Sequence, residues 1–157
     1  MTTSHIEQMQ IRPMRWWDIP EVCALEQRLF PVDAWTSQMF WAELAQVGSS
    51  RVVVVVEIND SIIGYASLRW SGHEGDINTI AIAPEFQGQG FGRRLLAWLE
   101  DQAKQRNVEQ IFLEVRGDNQ PALTLYRATG YESIDTRKDY YAPGVAAVVM
   151  RKRLSHA

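Results

Sequence analysis

The sequence predicts an α+β (mixed α/β) chain: one central mixed sheet of about seven strands, with about four helices. Three observations carry this prediction. A β-branched block, Val52-Val53-Val54-Val55-Val56, lies in a run over 51–58 that reads as a strand covered on both faces. The turn Gln87-Gly88-Gln89-Gly90-Phe91-Gly92 joins a strand ending at Pro84 to an apolar-periodic helix. The segments alternate as β-α-α-β-β-β-α-β-α-β-β, with hairpins at both ends and no repeat, linker or low-complexity tract between them.

Each element has a local reason. Met9-Gln10-Ile11-Arg12 alternates as a first strand. Asp18-Ile19-Pro20-Glu21 reads as a helix start, with Asp18 as cap, Pro20 in the first turn and Glu21 at capping-box spacing. Val22, Leu25 and Leu29 then share one face, and Phe30-Pro31 ends the helix. Thr36 caps a second helix running to Ala45, with Met39, Phe40 and Leu44 predicted to be buried. Asn59-Asp60 turns the 51–58 strand into a hairpin partner over 61–70. Residues 72–75 read as a loop, 76–82 as the strand entering the glycine turn, and 110–116 as the strand after its helix. Asn119 caps a short helix that carries Pro121 in its first turn and is stopped by Gly130. Two last strands, 131–137 and 145–153, flank a loop at 138–144.

The chain has 157 residues, the length of one domain, and 46% hydrophobic residues, enough for a sizeable core. We expect a single domain over 1–157. No apolar run reaches the roughly 18–20 residues of a membrane span. Residues 1–5 lack the basic and apolar regions of a signal peptide, so a cytoplasmic location is expected. The single cysteine, Cys23, excludes an internal disulfide and a cysteine-rich metal site. A formal net charge of -3 gives no sign of general nucleic-acid binding. His5, His73 and His156 lie at the termini and in a loop and are given no role.

The glycine turn is the strongest chemical signal. Its glycines leave backbone N–H groups uncovered at a helix N-terminus, where the helix dipole favours an anion such as a pyrophosphate. Arg93 and Arg94 add positive charge in the first helical turn, a placement that makes sense beside a phosphate. A P-loop reading fails because no Gly-Lys-Ser/Thr follows. A dinucleotide fingerprint fails on spacing and on the turn's mid-chain position. Glycines serving tight packing alone are the structural alternative.

The turn matches Gln-x-x-Gly-x-Gly behind Ile80-Ala81-Ile82-Ala83-Pro84-Glu85-Phe86, which resembles the pyrophosphate motif of the GNAT acyltransferases. Other pieces fall in the same order: Phe30-Pro31 before Trp35-Thr36, Leu113-Glu114-Val115-Arg116, Asn119, Leu125-Tyr126, Thr129-Gly130-Tyr131 and Arg137-Lys138-Asp139-Tyr140-Tyr141. Together they resemble the bacterial ribosomal-protein alanine N-acetyltransferases, the RimI-like branch, over nearly the whole chain. One departure is the extra residues between Pro31 and Trp35, at the substrate entrance.

The resemblance implies the GNAT fold and acetyl-coenzyme A as co-substrate, with no metal. It implies coenzyme contacts from Ile80, Ala81, Ile82, Gln87, Gly88, Gln89, Gly90, Phe91, Gly92, Arg93, Asn119 and Tyr126. The strand residues would pair with the pantetheine arm, and a backbone N–H near Ile82 would meet the oxyanion. It places the general base on Glu114 and the acid that protonates the thiolate on Tyr126. From the residues alone, Glu114 also fits a solvated strand face or an ion pair with Arg116, and Tyr126 a core position. Tyr140 and Tyr141 are expected in a loop that closes over a substrate peptide, with Phe30 and Trp35 opposite.

A free α-amine has a pKa of about 8 against about 10.4 for lysine, so an N-terminal amine asks little of its base. The expected activity is transfer of acetyl to a protein N-terminus, namely an N-terminal alanine of a ribosomal protein, by direct attack in a ternary complex. A small-molecule amine acetyltransferase and a non-catalytic acyl-coenzyme A module are the alternatives. A monomer or weak dimer is expected, with no direct contact to nucleic acid or membrane.

Overall fold

Seven strands form one sheet in the order β1-β2-β3-β4-β5-β7-β6. In this computed structural model residues 5–155 are described; residues 1–4, and His156 with its neighbour, lie outside them. The strands are β1 (Gln10–Pro13), β2 (Arg51–Ile58), β3 (Ser61–Ser71), β4 (Glu74–Ile82), β5 (Gln110–Arg116), β6 (Glu132–Ala142) and β7 (Val145–Arg153). The helices are α1 (Ile19–Leu29), α2 (Ser37–Ala45), α3 (Phe91–Gln105) and α4 (Gln120–Ala128). Every neighbouring pair is antiparallel except β4–β5, which is parallel.

The valine run of β2 explains the layering. Val54 and Val56 join a core with Leu95, Leu96 and Leu99 of α3, while Val53 and Val55 join a second core with Val22 and Leu25 of α1 and Phe40 of α2. Side chains alternate along a strand, so one β-branched stretch fills both layers. Each fully buried side chain of this kind contributes about 1.5–3 kcal/mol of hydrophobic stabilisation. The caps on Thr36 and Asn119 form as expected: Met39 N–H donates to Thr36 Oγ1 at 3.3 Å and Ala122 N–H to Asn119 Oδ1 at 3.2 Å.

Several local expectations are corrected. Asp18 precedes α1 but its side chain does not cap that helix. Its carboxylate instead accepts from both Arg12 terminal nitrogens at 2.8 Å and from Arg15 N–H at 2.7 Å. A buried charge paired with a guanidinium outcompetes a cap, and Arg12 holds the Asp18 carboxyl below the usual carboxylate range. The expected loop at 72–75 is shorter: Gly72 and His73 alone make the turn between β3 and β4, with Ser71 opposite Glu74 and residues 74–75 already in strand. Met39 is exposed and Leu44 half-buried, so Phe40 alone of the three fills the core, and the buried carboxylate Glu43 shares its face of the helix. Residues 138–142 belong to β6. Between Arg137 and Ala142 this strand bulges against β7, where the paired residues are Ala147 and Val145.

Candidate active site

The parallel pairing of β4 and β5 covers only Glu74–Ile77 against Gln110–Leu113. Beyond it the two strands separate, leaving the β5-side edge of β4 unpaired toward Ile82. The cause lies on the other side of β4. Thr79 faces Ser67 and Ile77 faces Leu68, so Asn78 is an extra residue, a β-bulge that bends its strand. Buried Glu43 pins it: Oε1 accepts from Asn78 Nδ2 at 2.9 Å, and Oε2 accepts from Ser67 Oγ at 3.0 Å and Arg51 Nε at 2.7 Å. Sequence reasoning missed Glu43. Its signal was a carboxylate three residues from Phe40, on the buried face of α2.

The opened edge lies between the N-termini of α3 and α4, at the carboxyl ends of the parallel strands, where open α/β sheets bind ligands. A cavity of about 750 Å³ occupies it, lined by Ile80, Ala81 and Ile82 of β4, the glycine turn, Asn119 and Tyr126. In the turn Gly88 has φ 75° and Gly90 has φ 94°, a left-handed backbone that glycine adopts without strain. The Gln87 side-chain amide donates to Ile82 O at 2.9 Å and ties the turn to the strand end. From residue 88 to residue 93 no backbone N–H has a hydrogen-bond partner among the described residues, nor has the Arg93 guanidinium. This row of free donors at a helix N-terminus fits a pyrophosphate. Two of the expected residues take part through their backbone alone: the Phe91 side chain is buried in the core and the Gln89 amide donates to Glu85 O at 3.1 Å, so neither side chain lines the cavity, while their N–H groups belong to the free row.

Tyr126 is buried, with 7% of its surface exposed, and its ring packs edge-on against Tyr131. Its hydroxyl has no hydrogen-bond partner among the described residues, yet no fully buried polar side-chain atom there is unsatisfied. The hydroxyl therefore keeps access to the cavity that the residue lines. Burial raises its pKa above the ordinary tyrosine range, so the neutral, proton-donating form persists at alkaline pH.

Glu114 lies on β5, just past the last residue paired with β4, and its side chain is 35% exposed. Its ion pair is with Arg137 of β6, at 3.3 Å, and not with Arg116. β7 lies between the two strands, with Val149 opposite Glu114 and Ala147 opposite Arg137, so the pair spans it diagonally on one face. Arg137 stacks on Tyr140 and Arg116 on Tyr141. The two tyrosines meet edge-on at 5.2 Å on the bulged part of β6, a strand position and not the expected loop. Phe30 lines the cavity. Trp35 does not; it packs on Phe40 at 5.3 Å in the second core. The segment carrying both is held from below by buried Glu26, which accepts hydrogen bonds from Trp35 N–H at 2.9 Å and from the Tyr65 hydroxyl. Glu26 too was missed, although it follows Leu25 and sits four residues after Val22 on the buried face of α1.

Residues 19–131, from α1 through α4, match the Acetyltransferase (GNAT) family. The chain belongs to the GNAT acetyltransferase family. As a GNAT enzyme it is an acetyl-coenzyme A-dependent N-acetyltransferase, and its four helices and seven-stranded mixed sheet are the fold of that family. It is 35% identical to the N-alpha-acetyltransferase RimI of Mycobacterium tuberculosis over 96% of each chain. It is 39% identical to an uncharacterized protein of Mycobacterium leprae over 86% of its own length, but spans only 38% of that longer relative. Among solved structures, the ribosomal-protein-S18-alanine N-acetyltransferase of Escherichia coli superposes with a TM-score of 0.83 at 28% identity, covering 95% of this chain and 96% of the other. Within this GNAT enzyme no helix of the described residues is long and apolar enough to cross a membrane, and no three His, Cys, Asp or Glu side chains among them cluster as metal ligands.

Proposed function

We propose that this enzyme acetylates the free α-amine of a protein N-terminus, with an N-terminal alanine of a ribosomal protein as its substrate. One observation carries the reading. Glu114, the candidate base, pairs with Arg137, which stacks on Tyr140, while Tyr141 stacks on Arg116 of the cavity lining; two adjoining aromatic side chains beside the base suit a peptide acceptor and are superfluous for a small amine. The RimI-named relatives support the same class of substrate.

The geometry supports the following roles. Backbone N–H groups over residues 88–93, with Arg93, bind the coenzyme pyrophosphate. The unpaired edge of β4 at Ile80, Ala81 and Ile82 aligns the pantetheine arm and offers an N–H to the oxyanion. Asn119 caps α4 and lines the same channel. Glu114 takes a proton from the attacking amine, directly or through a water. The amine nitrogen bonds to the acetyl carbon, the carbon–sulfur bond breaks, and the Tyr126 hydroxyl gives its proton to the departing thiolate.

The test uses three acceptors: a short peptide with a free N-terminal Ala, the same peptide with a blocked α-amine and an internal Lys, and spermidine. Acetylation of the first alone, located by mass spectrometry on the α-nitrogen, is expected. Comparable rates on the blocked peptide, or a preference for spermidine, overturns the reading.

A further inference from the structure

Arg116, at the end of β5, uses three donor nitrogens and its flat face on three separate parts of the chain. Nη1 donates to Asp33 Oδ2 at 2.9 Å; Nε and Nη2 donate to the two Asp118 oxygens at 3.1 Å. The guanidinium lies over the Tyr141 ring, 5.2 Å from its centre. Asp33 belongs to the α1–α2 connection, among the extra residues that separate Pro31 from Trp35. Asp118 precedes the cap of α4, and Tyr141 belongs to the bulge of β6. Asp33, Arg116 and Asp118 all line the cavity, so the Asp33–Arg116 pair ties its two walls together at the mouth.

Stability alone is a poor account of this arrangement. The side chains of Arg116 and Asp33 are 23% and 31% exposed. Ion pairs this open add little to folding, because water and salt screen them. What the arrangement does fix is the separation between the α1–α2 connection and the tyrosine wall. Arginine suits the task, because its planar fork holds two carboxylates in set directions and leaves its face free to stack.

We propose that Arg116 is a positioning residue for the acceptor substrate and that Asp33 is a specificity-determining residue. Their ion pair sets the width of the entrance through which the substrate chain reaches Glu114. The proposal rests on the N-terminal reading for the identity of that substrate. An acceptor with residues beyond its amine must pass between the α1–α2 connection and Tyr141, so its KM depends on the tie. A small amine is too short to span the two walls, so its KM does not.

The test compares full-length wild type with Asp33→Asn, Asp33→Glu, Arg116→Ala and Asp33→Asn combined with Arg116→Ala, on a peptide with N-terminal Ala. Hydrogen exchange over residues 30–36 is measured in parallel without substrate. Asp33→Asn is expected to raise peptide KM about two- to five-fold with kcat and the KM for a small amine held within about twofold, and Asp33→Glu to restore most of the loss. Arg116→Ala is expected to raise it roughly ten-fold, and adding Asp33→Asn to that variant to do nothing more. Exchange over 30–36 is expected to quicken in every variant lacking the pair. Unchanged peptide KM, with or without faster exchange, overturns the proposal. If wild type leaves the peptide α-amine unmodified, the N-terminal reading fails instead. The variants are then compared on whichever protein or peptide amine wild type does acetylate, where a raised KM sustains the positioning role and an unchanged one overturns it; use of small amines alone overturns both.

Discussion

On the proposed coenzyme side of the cleft, the main-chain N–H groups of residues 88–93 are unpaired among the described residues, and side chains contribute little beyond Arg93. On the acceptor side the groups that matter are side chains already engaged with one another: Glu114 with Arg137, Arg116 with Asp33 and Asp118, and both arginines with tyrosines. The difference suits what each side is proposed to bind. A pyrophosphate is the same in every turnover, so fixed backbone dipoles serve it and need no rearrangement. An acceptor chain varies in sequence, and side-chain pairs can be altered without disturbing the fold. Substitutions on the two sides should therefore differ in kind: loss of coenzyme binding on one, changes in acceptor KM or pH response on the other.

The largest effect is expected at the backbone site. Acetyl-coenzyme A should raise the Tm of wild type by linkage. Gly90→Asp should abolish that rise, because it places a carboxylate against the phosphates and forces a non-glycine residue to adopt φ 94°. Its Cβ would also meet Ile6 Cδ1 at 3.0 Å, so circular dichroism must first show a folded variant. An equal Tm rise in folded wild type and mutant would remove the glycine turn from the coenzyme site.

Next come the two proton-transfer groups, each expected to contribute about 10²- to 10⁴-fold. Tyr126→Phe should lower kcat across the accessible pH range, because burial keeps the wild-type hydroxyl protonated well above the ordinary tyrosine range. Glu114→Gln should cost toward the lower end near neutrality and recover with rising pH, as an α-amine of pKa about 8 deprotonates unaided. Parallel pH–rate profiles for the two variants would break the assignment of separate roles. Near-full kcat in Tyr126→Phe would reduce that residue to packing.

A smaller effect is expected beneath the acceptor wall. Tyr65→Phe should destabilise the fold by about 1–3 kcal/mol in chemical denaturation, since Glu26 keeps its burial and loses one of its donors. Burial raises the native pKa of Glu26, against the opposing pull of its hydrogen bonds from Tyr65 and Trp35. Its contribution to stability is thus complete below the ordinary carboxylate range and is lost as pH rises through the native value. Glu26→Gln should flatten that part of the Tm–pH curve. A wild-type curve with no such slope, or one that Glu26→Gln leaves unchanged, would show that Glu26 ionises freely in place.

The order of elements and the bounds of β2, β5 and β7 could be read from sequence, because β-branched runs and turn residues act locally. So could the caps on Thr36 and Asn119 and the glycine turn, whose conformation depends on residues only a few positions apart. Tertiary structure decided the rest. Asp18 gave up its cap of α1 for Arg12, because for a buried carboxylate a guanidinium partner outweighs a backbone donor. Glu114 found Arg137 across an intervening strand rather than Arg116 two residues away, since register brings Arg137 onto the same face and Asp33 and Asp118 already engage Arg116. Tyr140 and Tyr141 stayed in the sheet because β6 could bulge against β7 without leaving it. Glu43 and Glu26 drew no attention as single acids on helices. Their partners lie on distant strands and on a connecting segment, and local periodicity carries no record of contacts made only when the chain closes on itself.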